Sequence, residues 1–335
     1  MRAYFWFTLR RAMQMIVVIW SGISAAFLIT HLSPVSPVES VLGRITARSN
    51  FSPEAIEEMR STLTDLYGVD KPLPEQYGNF LRRIVTGGDL GPSLLAFPTP
   101  AMTLVMRALP WTVFLLASSV LVTWVMGNLF GGLAGYFQNS RLLKAFGVAS
   151  MGVQPVPYYI VAFILLIVFG FWWPVLPISG AYAMDVESGW NMEYVLSVAR
   201  HAILPVTSLI IVGFGSWFLG MRALVSNIVT EDYVTYAELA GVPRKRLVTS
   251  YVMRNAAVPQ LTALALTLGS IFSGTIITEQ VYNYPGLGTL LVDAVNNGDS
   301  TTVLAVSSVA IAAVAVAIFI IDLLHPLLDP RVRAE

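Results

Sequence analysis

Six stretches of this chain run for membrane-spanning length with almost no charge: Met13 to Thr30, Trp111 to Phe137, Ala145 to Trp173, Ala202 to Met221, Val258 to Thr278 and Val303 to Leu324. At about 1.5 Å per residue, each is long enough to cross a hydrocarbon core of roughly 30 Å as a helix. Their Val, Ile and Thr residues do not alternate with polar ones as barrel strands would, and backbone groups in hydrocarbon must be satisfied within the segment. The pattern predicts an all-α integral membrane protein with six transmembrane helices. The first stretch follows a charged N-terminus, in the order of a signal peptide. Leu28, Ile29 and His31, however, close a span of membrane length where a small-residue cleavage site would stand, so it reads as a retained anchor.

Composition agrees with a bilayer as solvent: 56% of residues are hydrophobic and 12% charged, against about 25% charged in soluble domains. The formal net charge is zero, so no global field attracts nucleic acid. There are no cysteines, which excludes disulfides, a thiolate zinc cluster and a thiol nucleophile. With the N-terminus inside, Arg2, Arg10, Arg11, Arg141, Lys144, Arg222, Arg244, Lys245, Arg246, Arg254, Arg331 and Arg333 are cytoplasmic, twelve of the twenty Lys and Arg. Six others fall in the long piece between the first two spans, where the charge bias carries little weight, leaving Arg107 and Arg200 outside at span edges. Both termini are expected in the cytoplasm. The chain then divides into an N-terminal tail and first helix (1–31), an extracytoplasmic segment (32–110), a five-helix core (111–325) with a cytoplasmic loop (222–257), and a cytoplasmic tail (326–335). The outer segment reads as short amphipathic helices, with Ser52-Pro53-Glu54 starting one that runs through Leu63.

The inner loop is the most polar and most basic piece on its side. Asp232 to Leu239 suits a short helix with an acidic first turn, Gly241 stops it, and Pro243 prevents its continuation. A second helical stretch runs from Arg244 toward Pro259, where the next span begins. The small residues Ala237, Ala240 and Gly241 would let the short helix dock in a groove of another protein. An ordinary connection is the alternative, its basic cluster a topology signal or a lipid contact.

Little points to chemistry within the chain. Its three lysines, Lys71, Lys144 and Lys245, do not follow a glycine as a phosphate-cradling loop requires. His31, His201 and His325 sit at span ends, suited to an interfacial role, and no paired carboxyls or hydrolase motif lie at depth. Gln154, Pro155 and Pro157 break the third stretch, while Thr262, Thr267, Ser270, Ser273 and Thr275 give the fifth a polar side. That side suits a lining for a polar solute, and equally the close helix packing that small residues permit.

Several short motifs occur in order along the chain. Arg10-Arg11 opens the first helix, and His31-Leu32-Ser33-Pro34 with Pro37-Val38 closes it. Gly68 to Pro74, Gln76-Tyr77 and Gly88-Asp89-Leu90-Gly91 mark the outer segment, and Asp232-Tyr233-Val234, Ala237, Gly241, Arg254-Asn255-Ala256 and Pro259 the inner loop. Tyr284-Pro285-Gly286-Leu287-Gly288 and Leu328-Asp329-Pro330-Arg331 complete the set. Together they resemble the inner-membrane permease subunits of ABC importers in the dipeptide and oligopeptide permease family, specifically the subunit type with the longer first outer segment. Thr235, Glu238 and Ala240 depart from that pattern, which has Glu at the first position and often a basic residue at the other two.

The resemblance implies a type I ABC importer transmembrane fold in a bacterial or archaeal inner membrane. The chain would pair with a second related permease as a heterodimer, with two ATP-binding subunits and with an extracytoplasmic solute-binding protein. ATP and magnesium would be used by those partners, this chain holding no cofactor. Asp232, Tyr233, Tyr236, Ala237, Glu238, Gly241 and Val242 would form the coupling helix seated on an ATPase. Gln154, Thr267, Ser270, Ser273 and Glu279 are the expected translocation path, Glu279 and the turn after it shaping an outer gate. Peptide or oligosaccharide is the expected solute, and opines and nickel are also carried in the family. An ion-coupled secondary carrier and a non-transporting scaffold are the competing classes. The former needs charged or broken helices near the midplane, and the span centres carry no Asp, Glu, Lys or Arg.

Overall fold

Four of the six apolar stretches are single helices long and apolar enough to cross a membrane: Phe5–His31, Ala101–Tyr136, Met192–Ile228 and Ser300–Leu323. The computed structural model describes residues 2–32, 38–39, 42–43, 46, 51–67, 70–86, 90–269 and 276–328. In chain order the helices are α1 (Arg2–His31), α2 (Pro53–Tyr67), α3 (Leu73–Thr86), α4 (Ala101–Tyr136), α5 (Arg141–Val153), α6 (Tyr158–Leu166), α7 (Met192–Ile228), α8 (Asp232–Leu239), α9 (Arg244–Arg246), α10 (Arg254–Gly269), α11 (Ile276–Val281), α12 (Leu287–Asn296) and α13 (Ser300–Leu328). Wider π-helical turns at Ile167–Trp172 and Leu247–Met253 extend α6 and join α9 to α10. Among the described residues no strand occurs beyond one isolated bridge between Pro92 and Pro100.

The third stretch is a bent pair, its halves meeting at 105°. Pro155 and Pro157 sit at the break; each lacks the backbone N–H that would continue the helical ladder, although Gln154 before Pro155 is still helical at φ −52°, ψ −40°. In the fifth stretch α10 is described to Gly269 and α11 begins at Ile276; Ser270 and Ser273 lie outside the described residues. Two helices outrun their apolar stretches. α4 has 36 residues and α7 has 37, about 54 Å each at 1.5 Å per residue, so both project beyond a hydrocarbon core. Interior prolines at Pro110 and Pro205 do not end them.

The chain forms two compact units, Met1–Thr112 with Pro285–Val316, and Val113–Tyr284 with Ala317–Glu335. In the first, Phe27 of α1 is buried against Tyr77 and Phe80 of α3, with ring centroids at 5.3 and 5.1 Å. The hydroxyls of Ser24 and Tyr77 meet at 2.5 Å. Ser52 caps α2, its Oγ accepting from the Ala55 amide at 3.3 Å, and the helix continues past the expected Leu63 to Tyr67. Leu63 packs with Val38 and Leu42, and Arg60 pairs with Glu39.

In the second unit a glycine stripe, Gly127, Gly131 and Gly135, lets α4 lie directly on the backbone of α7 around Trp217, Phe218 and Arg222. A Cβ at Gly135 would stand 2.7 Å from the Arg222 carbonyl oxygen, and one at Gly131 would collide with that of Phe218. Without a hydrophobic drive between helices in lipid, this close backbone approach is what holds such a pair together. Elsewhere the surface is apolar: Ile16, Val17, Trp20 and Ile29 of α1 are all exposed, as suits a lipid-facing helix.

Candidate functional site

The second unit carries the loop that the sequence singled out, and α8 is anchored at both of its ends. α7 continues beyond the expected boundary at Arg222 to Ile228, and the turn 229–231 follows, leading directly into α8. Val234 and Ala237 are buried in a cluster with Met221 and Val225 of α7, Leu247 and Val252 of the π-helical turn, and Ala256 of α10. Residues three apart share a helix face, so this pair fixes which side of α8 looks inward. The opposite side, Asp232, Thr235, Tyr236 and Leu239 at spacings of three and four, is exposed, Tyr236 at 71% and Leu239 at 79%.

The C-terminal end closes with two carbonyls satisfied in the reciprocal pattern of a left-handed cap. The Gly241 amide donates to Glu238 O at 3.0 Å, and the Val242 amide donates to Ala237 O at 3.1 Å. Gly241 has φ +77°, a conformation that other L-residues adopt only at a cost. Val242 packs back onto the cluster around Ala237. Beyond the turn, Arg244 lies over the rings of Phe137 and Tyr136, 5.1 and 5.5 Å from their centroids, a cation–π contact that ties this limb to the end of α4. The second helical stretch does not end at Pro259, which lies inside α10.

Of the residues expected on the coupling surface, Asp232, Tyr236 and Glu238 face outward, while Ala237 and Val242 turn toward the unit's own core. Tyr233 is half exposed, and its hydroxyl accepts from Asn255 Nδ2 of α10 at 3.0 Å. Leu239 was not singled out by the sequence, although its spacing from Tyr236 places it on the same face. The path residues are more scattered. Gln154 sits exposed at the α5–α6 break, the Thr267 hydroxyl donates to Ala263 O at 2.9 Å, and Glu279 is fully buried in α11. His31 stacks on Phe27, centroids 3.8 Å apart, and His201 Nδ1 lies 2.8 Å from Ser197 O.

One polar centre went unread in the sequence. In the first unit Asp299 is fully buried and caps α13, its Oδ1 accepting from the Thr302 amide at 2.9 Å. Its Oδ2 accepts from the amides of Leu94 and Leu95, and the hydroxyls of Ser93 and Thr302 each lie 2.6 Å from it. One carboxyl group thus pins the loop before α4 to the start of α13. Five donors on it explain how it is buried. The turn that delivers it repeats the cap of α8: Gly298 at φ +66°, with the Asp299 amide donating to Ala294 O at 2.8 Å.

A short helix buried on one side and exposed on the other is thus carried between α7, long and apolar enough to cross a membrane, and α10. Residues 127–334 match the family described as binding-protein-dependent transport system inner membrane component, and residues 4–117 match the N-terminal domain of the same systems. The chain belongs to this family. It is 26% identical to the probable D,D-dipeptide transport system permease protein DdpB of Escherichia coli (strain K12), over 98% of both chains. It is 24% identical to the oligopeptide transport system permease protein AppB of Bacillus subtilis (strain 168), over 98% of this chain and 99% of that one. With the glutathione transport system permease protein GsiC of Pectobacterium atrosepticum it shares 27% identity over 92% of each. It is therefore a permease subunit of a binding-protein-dependent ABC importer, a multi-pass inner-membrane component that works with an ATPase and a binding protein and is not itself the ATPase. This sets aside the ion-coupled carrier.

Proposed function

We propose that the chain forms half of the pore of a peptide importer. In this reading it crosses the membrane six times with both termini in the cytoplasm, and pairs with a second related permease above two ATP-binding subunits. Residues 32–110 face the extracytoplasmic binding protein, and 111–325 form the permease core. All of the relatives named above carry peptide names, and nothing among them supports the oligosaccharide expectation.

The presentation of α8 carries the mechanism. A coupling element must be a rigid piece that moves as a body with the transmembrane helices when its socket moves. The inward pair Val234 and Ala237, the cap at Gly241 and the Asn255–Tyr233 bond supply that rigidity. The outward face of Asp232, Tyr236, Glu238 and Leu239 supplies the contact. ATP-driven closure of the ATPases would shift α8, and with it α7 and α10, opening the pore to solute delivered from outside. Gln154, Thr267, Ser270, Ser273 and Glu279 are the proposed path residues.

The test is to purify the chain from its native membrane, identify what travels with it, and measure uptake of short peptides by the reconstituted complex. An ATPase and a second permease in the complex, with ATP-dependent peptide uptake, are the expected results. Absence of an associated ATPase counts against the coupling role, and a complex that carries only sugars counts against the solute.

A further inference from the structure

A pocket of about 540 Å³ lies within the second unit, between residues 174–186 and the first turns of α7. This is the size of a small-molecule site, roughly 300–1,000 Å³. Pro174, Leu176, Val186 and Leu196 give it apolar walls, and its two charged residues are Glu193 and Arg200. These are seven residues apart on α7, so they lie on one face, about 10 Å apart along the axis at 1.5 Å per residue. Among the described residues neither takes part in an ion pair. Both are placed by local structure. Asn191 caps the turn that carries Glu193, its Oδ1 accepting from the Tyr194 amide at 2.7 Å. Arg200 donates one guanidinium N–H to Val175 O at 2.9 Å, which orients the fork and leaves its other donors for a ligand.

Opposite charges held apart along an apolar wall match a molecule with a cation at one end and an anion at the other. An extended peptide covers about 3.5 Å per residue, so three residues span the separation. We propose that this pocket holds a short peptide by its two free termini, the carboxylate on Arg200 and the ammonium on Glu193. The side chains lie against Pro174, Leu176, Val186 and Leu196, which ask for bulk and not for identity. The inference rests on the peptide reading above and on the orientation that places the start of α7 outside.

The test uses the complete importer, reconstituted with its binding protein and ATPases, and trialanine, N-acetyl-trialanine and trialanine amide as probes. Arg200→Gln is expected to raise the KM for trialanine about tenfold, the loss of one charge-assisted contact, with little further effect on the amide. Glu193→Gln is expected to do the same for trialanine and to spare the acetylated peptide. Arg200→Lys keeps the charge but not the fork, and should retain the preference for a free carboxylate; that preference separates a binding role from the bond to Val175. Equal losses on all three probes, or none, overturn the site while leaving the peptide reading intact, since the unaltered complex still carries trialanine. If the unaltered complex carries none of the probes, both fail.

Discussion

The side-chain amide of Asn255 donates to the Tyr233 hydroxyl at 3.0 Å, joining the first turn of α8 to the start of α10 across 22 residues. The same Nδ2 reaches Tyr251 O at 2.7 Å, so Asn255 is held by the π-helical turn before α10 and offers its second hydrogen to α8. α8 is thereby joined to α10 by a polar contact as well as by the apolar cluster beneath it, and in the mechanism proposed above both pass its displacement on.

Tyr233→Phe removes that contact together with the longer bond that the Tyr233 hydroxyl donates to Tyr251 O at 3.5 Å. A net hydrogen bond contributes about 1 kcal/mol, so the chain should fold and assemble normally while peptide uptake per ATP hydrolysed falls severalfold. Uptake and hydrolysis measured together in proteoliposomes check this; an unchanged ratio means that the bond plays no part in coupling.

At Gly241 a Cβ would meet nothing within 4 Å, so a substitution there is opposed by backbone conformation and not by crowding. Gly241→Val should abolish transport with membrane insertion intact, because a β-branched residue at φ +77° is a steric outlier. Gly241→Asn should keep most of the activity, since Asn tolerates the left-handed region. Normal uptake by the valine variant would remove the cap from the coupling mechanism.

Asp299→Ala should be among the most destabilising single changes in the first unit. It removes the acceptor of the Leu94 and Thr302 amides and of the Ser93 hydroxyl, at about 1–3 kcal/mol for each that water does not reach, while the Leu95 amide and the Thr302 hydroxyl keep the Ser93 oxygen as a second acceptor. A large fall in the thermal midpoint of the detergent-solubilised protein is expected. Thr302→Val, which keeps the amide bond to Asp299, should cost about 1 kcal/mol. A midpoint unmoved by Asp299→Ala would show that water replaces the carboxyl.

Gly131→Leu and Gly152→Leu differ in their surroundings. The first drives side-chain atoms into the Phe218 backbone, while a Cβ at Gly152 meets nothing within 4 Å. The yield of monodisperse protein should collapse for the first and hold for the second. Comparable yields would mean that α4 and α7 can separate at little cost.

The chain has no cysteine, so single replacements report its orientation. Trp190 is fully exposed in the segment before α7, and Leu239 is exposed on α8. A membrane-impermeant maleimide should label Trp190→Cys in intact cells, and Leu239→Cys only after permeabilisation. The reverse pattern would invert the topology.

The apolar stretches, the break at Pro155 and Pro157, the short helix from Asp232 to Leu239 and its stop at Gly241 were all readable along the chain. Each depends on local physics: the transfer of consecutive side chains into lipid, a missing N–H, or a backbone angle that glycine alone adopts freely. The family resemblance was legible in part for a related reason, since Asp232-Tyr233-Val234 starts α8 and Tyr284 to Gly288 forms the turn into α12, whereas Arg10-Arg11 lies within α1 and does not open it. Tertiary structure decided the rest. Hydropathy falls at Met221, yet α7 runs on to Ile228 because Val225 is buried against the inner loop. Ala237 looks like a small docking residue until the packing turns it inward and leaves Leu239 outside. Ser93 and Asp299 are 206 residues apart, and Glu193 and Arg200 face a common pocket only because residues 174–186 fold against α7. Pairings of that kind depend on which surfaces the folded chain brings together, and no periodicity along the sequence encodes them.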